Sequence, residues 1–154
     1  MKAKFNLYNF ILESLALLFL VANILMLLSS YGSLPDTIIT HYNINGIPDG
    51  YGNKESIIPP LLISVFIYIQ LSVLQNFPQL YNYPVKVTEK NKDALLFYAL
   101  RLLKYIKLCI SIMFFSISFY SIQNKAMGGF GVFLVMAPII PSLYYIIKMR
   151  QLKD

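Results

Sequence analysis

Hydrophobic positions fall in four long blocks separated by polar connections. The first block runs from Phe5 to about Leu28, the second from Ile57 to about Phe77, the third over Leu108–Ile122 and the fourth over Phe130–Ile147. A helix needs about 20 largely apolar residues to cross a bilayer. The pattern therefore predicts an all-α polytopic membrane protein with four transmembrane helices over about 5–30, 57–77, 89–123 and 130–148. All belong to a single membrane domain spanning 1–154. Pro59 and Pro60 fit the first turn of the second helix, where a missing N–H does little harm, and Pro78 is its natural stop. Thr88 is a suitable N-cap for the third, with Glu89 in the first turn. Pro138 and Pro141 predict a kinked or locally unwound fourth helix, preceded by Gly128-Gly129. One alternative for the first block is a signal peptide, with Ser14–Leu28 as its apolar core and Ser30-Tyr31-Gly32 as a small-residue cleavage pattern. The earlier start at Phe5 and the position of Glu13 favour a spanning helix.

The connection between the first two blocks, Leu34–Lys54, is polar and dense in turn residues. It holds the only histidine, His41, and two of the seven acids, Asp36 and Asp49. Alternation over Asp36–Ile44 places Thr40, Tyr42 and Ile44 on one side and His41, Asn43 and Asn45 on the other. Asn45-Gly46 is a hairpin-turn signal, and Pro48-Asp49-Gly50 reads as a second turn directly after it. The expectation is a short β-hairpin-like cap within an outer loop over 32–56.

Composition agrees with this picture. Apolar residues make up 57% of the chain, charged residues only 13%, and the mean hydropathy is +0.60; a soluble domain is about a quarter charged. The net charge of +6 does not imply nucleic acid, because the charges cluster at block ends, where a membrane protein places them. The single Cys109 excludes an intrachain disulfide and suits a small core residue. The first connection has three acids (Asp36, Asp49, Glu55) against Lys54. The second, over 78–94 and into the third helix, has Lys86, Lys90, Lys92, Arg101, Lys104 and Lys107 against Glu89 and Asp93. Basic segments stay on the cytoplasmic side. This places the chain in the bacterial inner (cell) membrane as a multi-pass protein, with both termini cytoplasmic and Leu34–Lys54 outside. Glu13 is the one acid inside an apolar block, and pairing with Arg101, Lys104 or Lys107 is expected. Gln70, Gln75 and Asn76 are expected to bond neighbouring helices.

Three function classes fit these residues. In a binding protein, Asp36, His41, Tyr42, Asn43, Asp49, Tyr51 and Lys54 of the outer loop would contact a hydrophobic or cationic peptide. The plainer reading is that both acids bond their own loop and His41 bonds across the hairpin. In a membrane sensor or accessory subunit of a transporter or signalling complex, Lys86, Lys90, Lys92, Arg101 and Lys104 would meet a cytoplasmic regulator or membrane partner; an interfacial basic collar is the plainer reading. In a metal-dependent membrane enzyme, Asp36, His41 and Asp49 would hold a divalent ion, which is a sparse ligand set for zinc. No HExxH, GxSxG or phosphate-binding glycine loop is present. No cofactor and no catalysis are expected; the lipid bilayer is the one partner common to every reading.

The loop also resembles a known pattern. Leu34-Pro35-Asp36, Ile38, His41-Tyr42-Asn43, Gly46, Pro48-Asp49, Tyr51-Gly52 and Lys54 are similar to the signature of the N-terminal domain of unknown function in SdpI-type immunity proteins. Ile39 departs from it, standing where that family usually has proline. Asn82-Tyr83-Pro84-Val85-Lys86-Val87-Thr88, with Asn91, resembles a second segment of short members. The likeness covers most of Leu34–Lys107, and the C-terminal half of full-length SdpI-type proteins is expected to be missing. The resemblance implies protection against a secreted, membrane-active toxin peptide and a part in signalling that toxin's presence.

Overall fold

The first apolar block enters its helix through Asn6, whose side chain accepts the Asn9 N–H at 3.2 Å, and continues as α1 over Leu7–Ser30. The structure is a computed structural model that describes residues 6–153. The expected start at Phe5 and the N-terminal lysines lie outside the described residues. A short 3-10 turn at Tyr31–Ser33 leads into a two-stranded antiparallel hairpin, β1 (Thr37–Tyr42) and β2 (Pro48–Asn53). A second 3-10 turn at Lys54–Ile57 enters α2, Ile58–Leu74, with proline in its first turn. The long α3 covers Lys92–Ile122, and the last block forms α4 (Gly129–Met136) and α5 (Ile139–Arg150). Among the described residues four helical segments are long and apolar enough to cross a membrane: Leu7–Ser33, Lys54–Leu74, Lys92–Ile122 and Gly129–Arg150. The architecture expected from the hydropathy pattern is therefore the one observed.

Three local expectations need correction. Pro48-Asp49-Gly50 is not a second turn but the start of β2. Asn43 makes the difference: its Oδ1 accepts the N–H groups of Asn45 and Ile47, while its own N–H bonds the Ile47 carbonyl, closing a longer turn over 43–47. The third helix starts at Lys92, not Glu89. The Asn91 side chain accepts the Thr88 N–H at 2.8 Å and donates to the carbonyls of Lys86 and Leu152, fixing a turn ahead of the helix. The second helix ends at Leu74 rather than Phe77, where the chain turns towards Pro78. The break expected in the last block is present at Ala137–Pro138: prolines at 138 and 141 remove two helical donors.

α1 and α3 form the most extensive helix pair. Leu12, Ala16, Leu20, Asn23 and Leu27 recur at heptad-like spacing and make the buried stripe of α1. The matching face of α3 carries Lys107, Ser111 and Ser118, all buried. Small serines let helix backbones approach closely where lipid supplies no hydrophobic drive, and Phe19 meets Phe115 edge-on at 5.5 Å.

The charged residues of this interface pair with one another. Glu13 pairs with Lys104 at 3.0 Å and with Lys107, whose side chain is only 1% exposed. Lys107 also donates to Ser72 Oγ at 2.9 Å and lies over the Tyr68 ring, so α2 closes the cluster. Gln75 approaches Glu13 at 3.5 Å, whereas Asn76 bonds back to its own helix and Gln70 is exposed. Removing one member of a buried pair strands its partner at a cost of roughly 3 kcal/mol, while replacing both by apolar groups is far milder. Glu13→Gln should therefore lower the thermal midpoint of the purified protein markedly, and Glu13→Leu/Lys107→Met should recover only part of the loss, because Lys104 still lacks its carboxylate. Circular dichroism melts of the three forms check this.

Candidate binding site at the hairpin end

The hairpin packs onto the bundle through its first strand, while Ile44 and Ile47 of its turn stay exposed. Ile38 joins Leu27, Leu34 and Ile57 in a core cluster that also receives Tyr31, Leu61 and Ile122. Strict alternation fails because Ile38 and Ile39 are both buried. These two residues are in regular register, so both faces of the strand are covered there; beyond them the register shifts twice, as Ile39 opposes Tyr51, His41 opposes Gly50 and Tyr42 opposes Pro48. Thr40 on β1 and Asp49 on β2 are each an extra residue in the ladder, and such bulges re-aim side chains. Here they bring His41 Nδ1 and Asp49 Oδ1 to 2.5 Å. Gly50 is required beneath them, since a Cβ there would stand 2.8 Å from the His41 Cβ.

The hairpin tip is moored to the far side of the bundle. Gly46 has φ +70°, open to glycine, and its carbonyl accepts the N–H groups of Met127 (2.9 Å) and Gly128 (3.2 Å) in the connection between α3 and α4. The Tyr42 hydroxyl donates to the Lys125 carbonyl at 3.3 Å. Burial pushes the Tyr42 phenol above its ordinary pKa, so it remains a protonated donor. Between this strut and the membrane helices lies a half-open cavity of about 250 Å³. His41 and Tyr42 line its hairpin side; Met113, Ile117, Leu134 and Val135 form an apolar wall from α3 and α4.

The expected outer-loop residues divide clearly. His41, Tyr42 and Asn43 border the cavity, and Asp49 reaches it through His41. Tyr51 is exposed on the opposite strand, and Asp36 and Lys54 form a loose pair at 3.9 Å away from His41–Asp49, with the Asp36 carboxylate fully exposed. Among the described residues no group of three His, Cys, Asp or Glu side chains is placed to hold a metal ion, so Asp36, His41 and Asp49 do not form one set. The basic residues also divide. Lys86 and Lys90 lie in the connection, and Lys92 pairs with Glu89 at 2.5 Å. Nine residues of helix turn Arg101 to the opposite face from Lys92, and Lys104 is held by Glu13. The apolar wall of the cavity was missed by sequence reasoning, because Met113 and Leu134 look like any other lipid-facing residue. The glycine density at Gly128, Gly129 and Gly131 was the available signal of a close approach.

Residues 18–64 match the family described as "Domain of unknown function (DUF1648)". The match runs from the middle of α1 through the hairpin into α2. A stretch of 65 residues is 29% identical to an uncharacterized protein of Archaeoglobus fulgidus, covering 37% of this chain and 36% of that protein. The chain thus spans little more than a third of that relative's length. No solved structure matches the chain.

The mooring makes a sharp prediction. A methyl group on Gly46 would overlap the Gly128 carbonyl oxygen and would have to adopt a positive φ. Gly46→Ala should destabilise the protein by roughly 1–3 kcal/mol and expose the α3–α4 connection. Limited proteolysis at that connection, compared between the two forms, reports the loss of contact.

Proposed function

We propose that this protein binds a membrane-active peptide at its hairpin end and keeps it from assembling in the bilayer, in the manner implied by its resemblance to SdpI-type immunity proteins. The cavity between the hairpin and the α3–α4 wall is the observation that carries this reading. It is open on one side, apolar along the membrane helices, and polar where His41 and Asp49 meet the water. An amphipathic peptide divides its surface the same way. Met113 and Met127 lend adaptable walls, suited to ligands of varied side-chain shape.

Charge supports the same occupant. The connections at the hairpin end carry Asp36, Asp49 and Glu55 against Lys54 and Lys125, whereas the opposite end is rich in lysine and arginine. Basic segments are retained in the cytoplasm, so on this reading the hairpin faces outward, where a secreted cationic peptide would arrive. The role is binding and not catalysis: among the described residues His41 hydrogen-bonds only Asp49, and its side chain is 71% exposed. A carboxylate held on an exposed imidazole can attract a cation without being set up for proton transfer in a sequestered site.

Sensitive cells producing equal membrane amounts of the intact protein, of His41→Ala/Asp49→Ala or of Ile117→Trp test the proposal. They would be challenged with a panel of cationic membrane-active peptides. The intact protein is expected to protect against at least one. The double variant should lose about tenfold in protective dose, the equivalent of 1.4 kcal/mol of contact, and the cavity-filling tryptophan should abolish protection. Protection that survives both changes would contradict a site at the hairpin, and failure against every peptide would contradict the immunity reading.

A further inference from the structure

The end of the bundle opposite the hairpin holds more positive charge than its own acids match. Among the described residues Glu13 is the one carboxylate there that reaches into the helix interface, and it already serves Lys104 and Lys107. Lys107 is saturated by Glu13, Ser72 and the Tyr68 ring. Lys104 uses one of three donors on Glu13 among the described residues. Arg101, one turn before Lys104 on α3, has no carboxylate partner among the described residues, and its buried Nε has no hydrogen bond. The guanidinium is instead held between two rings, with its central carbon 4.8 Å from Tyr8 and 4.3 Å from Phe97. Among the other described charges of this end, Lys92 is on Glu89, and Asp93 stands more than two turns from Arg101 along α3.

The depth of this cluster is set by α1. Tyr8 is in its first turn, so Arg101 lies level with the mouth of the first spanning helix, where headgroups sit. Glu13, five residues on, lies about 7 Å deeper at 1.5 Å per residue. α3, with 31 residues, is about 46 Å long, which exceeds a hydrocarbon core of about 30 Å; its opening turns project beyond the membrane. Tyr8 and Phe97 are each about two-fifths exposed, forming an aromatic girdle at this level, and Leu7, Phe10 and Ile11 extend an exposed apolar surface inward from it.

We propose that Arg101 and Lys104 bind the phosphate of an anionic lipid headgroup. The planar guanidinium offers paired donors to two phosphate oxygens, Lys104 adds a point charge, and the acyl chains lie along the exposed face of α1. Basic pockets between helices at a membrane surface suit such headgroups. The site is separate from the hairpin cavity and does not depend on the immunity reading.

Native mass spectrometry of the full-length protein in detergent supplies the test, with phosphatidylglycerol, phosphatidylcholine or inorganic phosphate added at matched concentrations. Retained phosphatidylglycerol should exceed phosphatidylcholine. Arg101→Gln/Lys104→Gln should weaken that binding about tenfold, as expected for losing charged hydrogen bonds. Arg101→Lys should fall in between, and Lys90→Ala/Lys153→Ala, whose lysines lie off the cluster, should bind like the parent. If the double variant does not fold, Arg101→Lys and Arg101→Gln singly carry the comparison. Equal retention of the two lipids, or lipid binding unchanged by the Arg101 variants, would overturn the proposal. Displacement of the lipid by millimolar inorganic phosphate would instead assign the site to free phosphate and overturn the lipid source.

Discussion

A carboxylate inside an apolar helix must find cations, and that requirement organises the bundle. Glu13 cannot stay charged among lipid tails without partners, so α1 has to lie against the face of α3 that presents Lys104 and Lys107. With that contact made, the heptad-like stripe of α1 falls on the serine-bearing face of α3 and Phe19 meets Phe115. α2 is drawn in by Ser72 and Tyr68, which complete the surroundings of Lys107. One polar cluster thus sets both the neighbours and the axial register of three helices. Above it, Asn23 and Ser118 are each 1% exposed with side-chain atoms lacking partners among the described residues. Ten residues beyond Glu13 and eleven beyond Lys107, they lie at the same level of two parallel helices, a second polar layer in the same seam.

The two ends of the bundle are finished differently. At one, backbone hydrogen bonds from Met127 and Gly128 to Gly46 hold the hairpin down over the start of α4, leaving a cavity beneath the strut rather than a sealed lid. At the other, Tyr81, Tyr83 and Val85 pack on Leu95, Ala99 and Met149, and Asn91 ties this connection to the last turn of the chain through Leu152. Burial and the neighbouring Tyr83 push the Tyr81 phenol up to about 12, consistent with a packing role rather than a titrating one. The hairpin end presents the exposed His41–Asp49 pair; the opposite end keeps a cleft lined by Pro78, Tyr81, Tyr83 and Leu96 beside its packed cluster.

Much of this was legible in the residues because bilayer crossing leaves few choices. Block length predicts four spans, Pro138 and Pro141 predict the interruption, and the isolated Glu13 predicts its lysine partners, although Arg101 chose aromatic rings instead. Asn45-Gly46 marks the turn, but its length was misread: the Asn43 side chain replaces backbone partners across five residues, a local bond that composition does not advertise. The bond of His41 across the hairpin follows the plainer reading of the loop, but the double bulge that directs it to Asp49 was hidden, since an extra residue in each strand interrupts the alternation that the pattern suggests. Long-range docking was the least visible. Nothing in the order of residues says that Gly46 should meet Gly128, because the contact depends on how α3 and α4 stack.

The proposed function requires that the hairpin of this four-helix membrane protein face outward and its cationic end face the cytoplasm. Labelling with a membrane-impermeant thiol reagent in intact cells tests it most directly, because the native Cys109 is buried within a spanning helix. A cysteine at exposed Ile44 in the hairpin turn should react in intact cells, and one at exposed Lys90 should react only after permeabilisation. Labelling of the Lys90 position and protection of the Ile44 position in intact cells would invert the topology and contradict the account.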